Sequence, residues 1–389
     1  MKRLINTILI IILLAVMTGC GSGKPSTDEL ITVDVTAKYP LRELILQDFT
    51  DVEYVPLETT DDFLTQGFVL TMGKEIILVK NRINDGDIFI CDRTGKALRK
   101  INRQGQGAEE YLFINAIVLD EDNREIFVND MVKEKILVYD LYGEFKRSIS
   151  YPNNVRYDNI HIYDREHLIC YDSSINNKGG EARGRKSWHF IISKQNGSII
   201  KEIYIPFEKN KSHRIISGEY SMTILSDDYS IIPDRDNWLL VELSSDTVYR
   251  YSPDDHLIPF IVRTPPVQSM ETEIFLLPVF ITDRYCFMNT SGKRFNLEKM
   301  HGYPSPSLMY DKQENTLFEY TVYNDDYSNK QEIRLKPSVN DEIAFWETLE
   351  ANQLVESYRK GELKGRLKEV AAKLNEDDNP VIMLVKHKK

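Results

Sequence analysis

Five times along the chain an alternating apolar–polar run meets a short polar turn and is followed by a second alternating run. The segments are "DIFICDRTGKALRKI" (87–101), "KILVYDLYGEFKRSI" (135–149), "HFIISKQNGSIIKEI" (189–203), "TVYRYSPDDHLIPFI" (247–261) and "SLMYDKQENTLFEYT" (307–321). Period-two alternation is the signature of a strand with one buried face, so each segment is expected to form a hairpin. Three of the turns place Gly95, Gly143 and Gly197 where a hairpin needs positive φ. The other two use Asp255 and Glu314 at the same place, so the turn positions lie 48, 54, 58 and 59 residues apart. Shorter apolar runs precede each hairpin, as "INAIVLD" and "REIFVND" do in the second period. Four strands in roughly 40–60 residues is the period of a propeller blade. Blades are expected at about 68–102, 114–149, 158–205, 219–262 and 274–322.

Strand-like pieces are left over at both ends: "DVEYVPLE" (51–58), "QEIRLK" (331–336) and "PVIMLVKHKK" (380–389). An open blade edge would expose unpaired backbone groups. A sixth blade built from both termini removes that edge. The expected fold is therefore all-β, a six-bladed β-propeller over residues 31–389, closed by a strand at about 380–387. A small helical insert is expected at about 340–375. Asn340 can cap it, and Ile343, Trp346, Leu349 and Tyr358 make a broken apolar face. After Gly361, the residues Leu363, Leu367, Val370, Ala371 and Leu374 fall on one helical face. That face can pack on the propeller or hold a partner.

The first 19 residues have a different pattern. Lys2 and Arg3 precede an apolar stretch from Leu4 to Val16, broken only by Asn6 and Thr7. It is too short for a transmembrane helix and has the form of a secretory signal. It ends "LAVMTGC", with small Thr18 and Gly19 directly before Cys20, in the order of a bacterial lipobox. Cys20 is the expected lipid-attachment residue, and residues 20–30, "CGSGKPSTDEL", the tether. An ordinary signal peptide with a chance cysteine is the alternative; Met17 stands where a lipobox usually has Leu. Acylation places the protein in the cell envelope, at the outer membrane, with the bilayer as a partner through Cys20.

Charge narrows the partners. The formal net charge is −11, and removal of Lys2 and Arg3 leaves 47 basic against 60 acidic residues, or −13. Nucleic acid, which needs a basic face, is not an expected partner. Cys91, Cys170 and Cys286 sit singly in apolar runs with no C-x-x-C, so neither a disulfide framework nor a zinc motif is expected. His161 and His167 lack a nearby third ligand, and no metal or other cofactor is expected. No G-x-S-x-G elbow marks a nucleophile, and no catalytic residue is assigned. The run "INRQGQGAEEYLF" (101–113) has Glu109 and Glu110 after its glycines and no G-K-[ST], which suits a connection between blades, not a phosphate loop. The acidic pairs "SDDY" (226–229) and "NDDY" (324–327) suit turns, with calcium binding or acid–base work as the alternative. "DTV" (246–248) fits a short O-glycosylation acceptor pattern and equally a turn entering a strand. The polar segment 173–187 carries Arg183, Arg185 and Lys186 on an otherwise acidic protein, and these are the candidate ligand-binding residues for an anionic group.

"VEYVPLETT" (52–60), "GKALRKINRQGQGAEEY" (95–111), "ILVYDLYGEFKRSI" (136–149) and the terminal "NPVIMLVK" (379–386) resemble the NHL-like six-bladed β-propeller lipoproteins of Gram-negative anaerobes. The resemblance spans nearly the whole mature chain and implies the propeller fold and a lipid anchor. It brings no catalytic residues. In that family the glycine turn usually continues with Pro-Gly, where this chain has Ala108 and Glu109. Two functions stay open: a binding or scaffold module for a polysaccharide, peptide or envelope protein, and a metal-assisted lactonase or lyase working at the central channel. Converging carboxylates with a metal at the channel mouth would favour the enzyme.

The lipobox generates the first prediction. Cys20→Ser should abolish lipid labelling and release the protein from the membrane fraction, because two or three acyl chains at about 0.8 kcal/mol per buried CH2 hold the wild type there. Persistent label and detergent partitioning in the variant would refute attachment at Cys20.

Overall fold

A computed structural model describes residues 30–152, 155–176, 187–211, 214–217, 220–223, 227–293, 295–296, 301–302 and 306–388. Six blades form a propeller ring around a central channel. Each of the first five has four antiparallel strands running outward from the axis. Their innermost strands are Phe68–Met72, Ala116–Asp120, Tyr157–Ile162, Ile231–Asp234 and Ile274–Ile281, and their last strands end at Asn102, Ser150, Ile203, Thr264 and Asn324. The chain's first strands join two of these sheets from outside. Ile31–Asp34 pairs in parallel with Leu257–Thr264, and Leu41–Ile45 in parallel with Thr316–Asn324. The fourth blade thus begins at Ile231 rather than near 219. The residues before it form a separate hairpin, Arg214–Ser217 with Tyr220–Thr223.

Blades bury both faces against their neighbours, so their middle strands do not alternate. Every residue of Glu125–Asp130 is buried, whereas the outer strand Phe145–Ser150 alternates partly with solvent. The hairpin turns explain the glycine spacing. Gly95 has φ +88°, and a Cβ there would lie 2.1 Å from the Pro56 carbonyl oxygen; at Gly197 (φ +73°) it would lie 2.3 Å from Ile149. Each turn is therefore wedged onto the outer strand of the preceding blade, a second reason beyond φ for having no side chain. Before the turns, Asp92 and Asp140 accept amides of the residues that follow: Asp92 from Thr94 (2.8 Å) and Asp140 from Tyr142 (2.8 Å). In the fifth hairpin the positive φ falls on Asn315 (φ 50°), not on the expected Glu314.

Among the described residues the sixth blade has three strands. Ile343–Leu349 lies inside, Val381–His387 in the middle and the N-terminal Thr50–Pro56 outside. The last two run antiparallel over seven pairs, from Thr50↔His387 to Pro56↔Val381. Val381, Ile382, Met383, Leu384 and Val385 are all fully buried. Here the structure corrects two expectations. Residues 343–349 are a strand, not the start of a helix, because the Asn340 side chain accepts the amides of Glu342 (2.9 Å) and Ile343 (2.8 Å) in a turn. Of "QEIRLK", only Gln331–Glu332 is strand, and it pairs with the fifth blade. Helices Ala351–Arg359 and Gly365–Ala371 follow, with Leu354, Leu363, Leu367, Val370 and Ala371 packed in a core shared with Tyr54, Phe280 and Met383. Among the described residues no helix is long and apolar enough to cross a membrane.

Deleting residues 380–389 should abolish the cooperative fold. Five fully buried side chains at about 1.5–3 kcal/mol each match the whole stability of a typical domain, about 5–15 kcal/mol. The milder Met383→Ala should lower stability by about 2–5 kcal/mol in chemical denaturation. Unchanged unfolding of either variant would refute closure by this strand.

Candidate functional site

All inner strands of a propeller end beside its axis, so their turns meet around one opening. Here they enclose a channel of about 1320 Å³. Its wall is contributed by residues 68–74, 115–122 and 158–164, by Asp228, Tyr229, Pro233, Arg235, Asp236 and Trp238, and by residues 336–342 and 345–348. Among the described residues ten carboxylates and three cations (Lys74, Arg235 and Lys336) line it. Low-dielectric walls focus such a field, making the channel attractive to positive charge.

Several of those carboxylates are structural. The Glu121 carboxylate accepts the amides of Lys74 (2.6 Å), Glu75 (2.9 Å) and Ile76 (2.8 Å), joining the turns of blades one and two. Asp120 pairs with the buried Lys194 ammonium at 2.5 Å. Glu342 lies between Arg93 (3.3 Å) and Lys386 (3.5 Å), and Asp164 holds His167 at 2.8 Å. Among the described residues Asp122, Asp236, Asp341 and Glu347 have no ion-pair partner. Burial, together with the nearby carboxylates of Asp236 and Asp234, raises the Asp341 acid above the ordinary carboxylate range. Asp234 is neutralised by Arg250 (2.9 Å), but Asp236 and Asp341, like charges without an ion-pair partner among the described residues, suit a site that waits for a cation.

Opposite charge is not the only feature of the wall. His161 and Tyr163 lie beside Trp238, with ring centroids 5.5 and 6.4 Å away. Burial pushes the His161 imidazole down to about 4, so it is neutral at pH 7. Trp346, half-buried, lies on the sixth blade's part of the wall. The channel therefore combines carboxylates with flat apolar faces, which suits recognition of a chain with cationic groups and an apolar body.

The sequence candidates fall elsewhere. Cys20, Arg183, Arg185 and Lys186 lie outside the described residues. His161 faces the channel, whereas His167 is held by Asp164 at a turn. Cys91, Cys170 and Cys286 are free and buried, and burial pushes the Cys91 and Cys286 thiols up to about 12. In "NDDY", Asn324 is buried and donates to the Tyr54 hydroxyl (2.9 Å), while Asp326 accepts from that hydroxyl (2.9 Å). Those residues fasten blade five to blade six. In "SDDY", Asp228 reaches the channel wall. Thr247 of "DTV" opens a strand and is half-buried. Among the described residues no three His, Cys, Asp or Glu side chains come together as a metal site.

The glycine run is a closed connection between blades one and two. Carbonyls rather than amides converge in it: the Lys133 ammonium donates to Gly107 O (2.7 Å), Glu110 O (2.5 Å) and Gly105 O (3.1 Å). The Glu110 carboxylate accepts the Gly107 amide at 2.8 Å, occupying the place a phosphate would need.

The unpaired channel acids were missed at the sequence level, although a signal exists. "DED" (120–122), "YDRE" (163–166) and "DRD" (234–236) each end an innermost strand, and "NDE" (340–342) precedes the inner strand of blade six.

The fold is similar to that of an exported protein of Bacteroides fragilis, at 15% identity and a TM-score of 0.60, over 93% of this chain and 100% of that one. A Bacteroides vulgatus member of another family of unknown function, DUF4221, is 11% identical with a TM-score of 0.45, over 88% of this chain and 98% of that one. A virginiamycin B lyase from Staphylococcus aureus is 11% identical with a TM-score of 0.36, over 87% of this chain and 100% of that one. None of the curated proteins matches the sequence. Residues 30–386 match the family described as a domain of unknown function, DUF4934, and with the match running almost from the first described strand to the last, the chain belongs to that family.

Proposed function

We propose that this protein is a non-catalytic binding module of the cell envelope, held to the membrane through acylated Cys20, and that its propeller channel takes a cationic ligand. The observation that carries the proposal is the channel itself, where among the described residues ten carboxylates face three cations. The lipobox order before Cys20 supports the anchor, and the similarity of fold to an exported protein agrees with a place outside the cytoplasm. A propeller supplies a rigid ring, and sites on rigid elements hold their groups without reorganisation.

Asp341 gives the test a signature. Its folded-state acidity is weaker than that of an ordinary aspartate, so its ionisation costs stability as pH rises through the ordinary value. Removing that charge should keep or raise the melting temperature while weakening binding. Spermine and acetylated octalysine, titrated calorimetrically at low salt, should both bind. The double variant Asp236→Asn, Asp341→Asn should bind each at least about tenfold more weakly, and about 0.5 M salt should do the same to the wild type as the Debye length shrinks. Absence of binding by either probe at low salt, or equal binding of an acidic octapeptide, would overturn the proposal.

A further inference from the structure

Among the described residues the sixth blade lacks an innermost strand. In blades one to five the strand at the axis is the first of four, but in blade six Ile343–Leu349 holds the second position. Two directions establish this. Thr50–Pro56 receives the Gly95 turn as the outermost strands of blades one and two receive Gly143 and Gly197. Ile343–Leu349 begins at the turn end of the ring, where Asn340 donates to Met72 O (3.3 Å), and ends by Gly67, whose carbonyl accepts from the Thr348 hydroxyl (2.8 Å). It therefore runs opposite to Phe68–Met72.

The vacant position is only half filled by the chain. Residues 333–340 cross between blades five and six, with the Ser338 amide on Val279 O (3.0 Å) and the Val339 amide on Ala344 O (3.1 Å). Beyond Ala344 no backbone group of the described residues pairs along the inner edge. The His387 amide points to Glu342 O, so odd-numbered residues of Val381–His387 bond Ile343–Leu349 through Phe345, Glu347 and Leu349. The N–H and C=O groups of Trp346 and Thr348 consequently face the channel. Among the described residues only Trp346 O has a partner there, the exposed Lys336 ammonium at 3.2 Å. Trp346 N–H and both backbone groups of Thr348 have none among the described residues.

We propose that this edge accepts an extended basic peptide as the missing fourth strand of blade six. The proposal rests on the cationic-ligand reading of the channel and specifies how the ligand is held. A strand added here completes a four-stranded blade, whereas one added to any other blade would be a fifth strand crowding the axis. Backbone pairing supplies affinity, and alternate side chains find charge complementarity in Glu347 and in Asp341 and Asp236 at the turn end. Trp346 offers a flat apolar surface. The peptide's carbonyl and amide replace water on Thr348, and its amide displaces the Lys336 ammonium from Trp346 O.

The test separates backbone pairing from charge. The chain from residue 30 onward is titrated with a Lys/Thr-alternating octapeptide, with the same peptide N-methylated at every second residue in either register, and with spermine. One N-methylated register should bind about tenfold or more weakly, while spermine binding is unaffected by the comparison. Hydrogen exchange should show the Trp346 and Thr348 amides unprotected in the free protein and protected by the parent peptide. Equal binding of both methylated peptides and the parent overturns strand addition while leaving the acidic channel standing. Failure of spermine and peptide alike overturns the channel reading itself. Protection of those two amides before any peptide is added means that the chain or a second copy fills the slot, and overturns the proposal.

Discussion

Each blade of this protein is apolar on both faces, and that constraint governs the rest. Ile77, Val79 and Phe89 pack toward blade six, while Leu78, Ile88 and Ile90 pack toward blade two. A stack of such sheets has two exposed apolar faces unless it closes on itself. Closure here is a seven-pair antiparallel ladder between the N-terminal Thr50–Pro56 and the C-terminal Val381–His387. The same ladder puts Val55 against the Gly95 turn, so blade one is seated only when both ends of the chain are in place. Contacts of this sequence separation form late, because loop closure must precede any gain from them.

Electrostatics follows from the geometry of the ring. Asp suits a turn because its carboxylate binds the next amides, and the turns after the inner strands are accordingly acidic. In a flat sheet those turns would lie apart in solvent. Around an axis they face one another, and Asp341 feels Asp236 and Asp234 across the opening. Some of the resulting repulsion is relieved by using the carboxylates as fasteners, as Asp120 does with Lys194 and Glu121 with three amides. Asp236 and Asp341 are not used in this way, and they carry the binding reading.

Five blades were legible because their hairpins repeat a local rule, with Asp or Ser opening the turn and Gly or another tolerant residue taking positive φ. Blade six was legible only in outline. Ile343, Trp346 and Leu349 fall three apart, which imitates a helical face, and a strand buried along one half gives no clean alternation to contradict it. Asn340 opens that strand with the same side-chain contacts that would cap a helix. The true helices start at Ala351 and Gly365, where Leu354, Leu367 and Val370 keep the period. The channel acids were hidden for another reason. Asp236 and Asp341 are 105 residues apart in the chain, and nothing local distinguishes them from ordinary turn residues until the ring closes.

The incomplete sixth blade is a consequence of how closure is made. Its outer strand comes from the N-terminus and its middle strand from the C-terminus, so the chain must leave blade five and enter blade six from the inside. It does so through Ile333–Asn340, with Ile333 and Leu335 buried between the two blades. A segment committed to that packing cannot also run as a straight strand along the axis. Its backbone meets the inner edge at Val339 and Asn340, and its Lys336 side chain reaches Trp346 O, which leaves the Trp346 amide and the Thr348 backbone uncovered among the described residues. Unpaired edges are elsewhere a hazard, commonly blunted by a lysine, and Lys336 stands in that place on Trp346 O. Here the edge lies inside a channel, where another folded chain cannot reach it and a single extended segment can. The feature that closes the ring thus also leaves a strand-shaped vacancy among unpaired carboxylates.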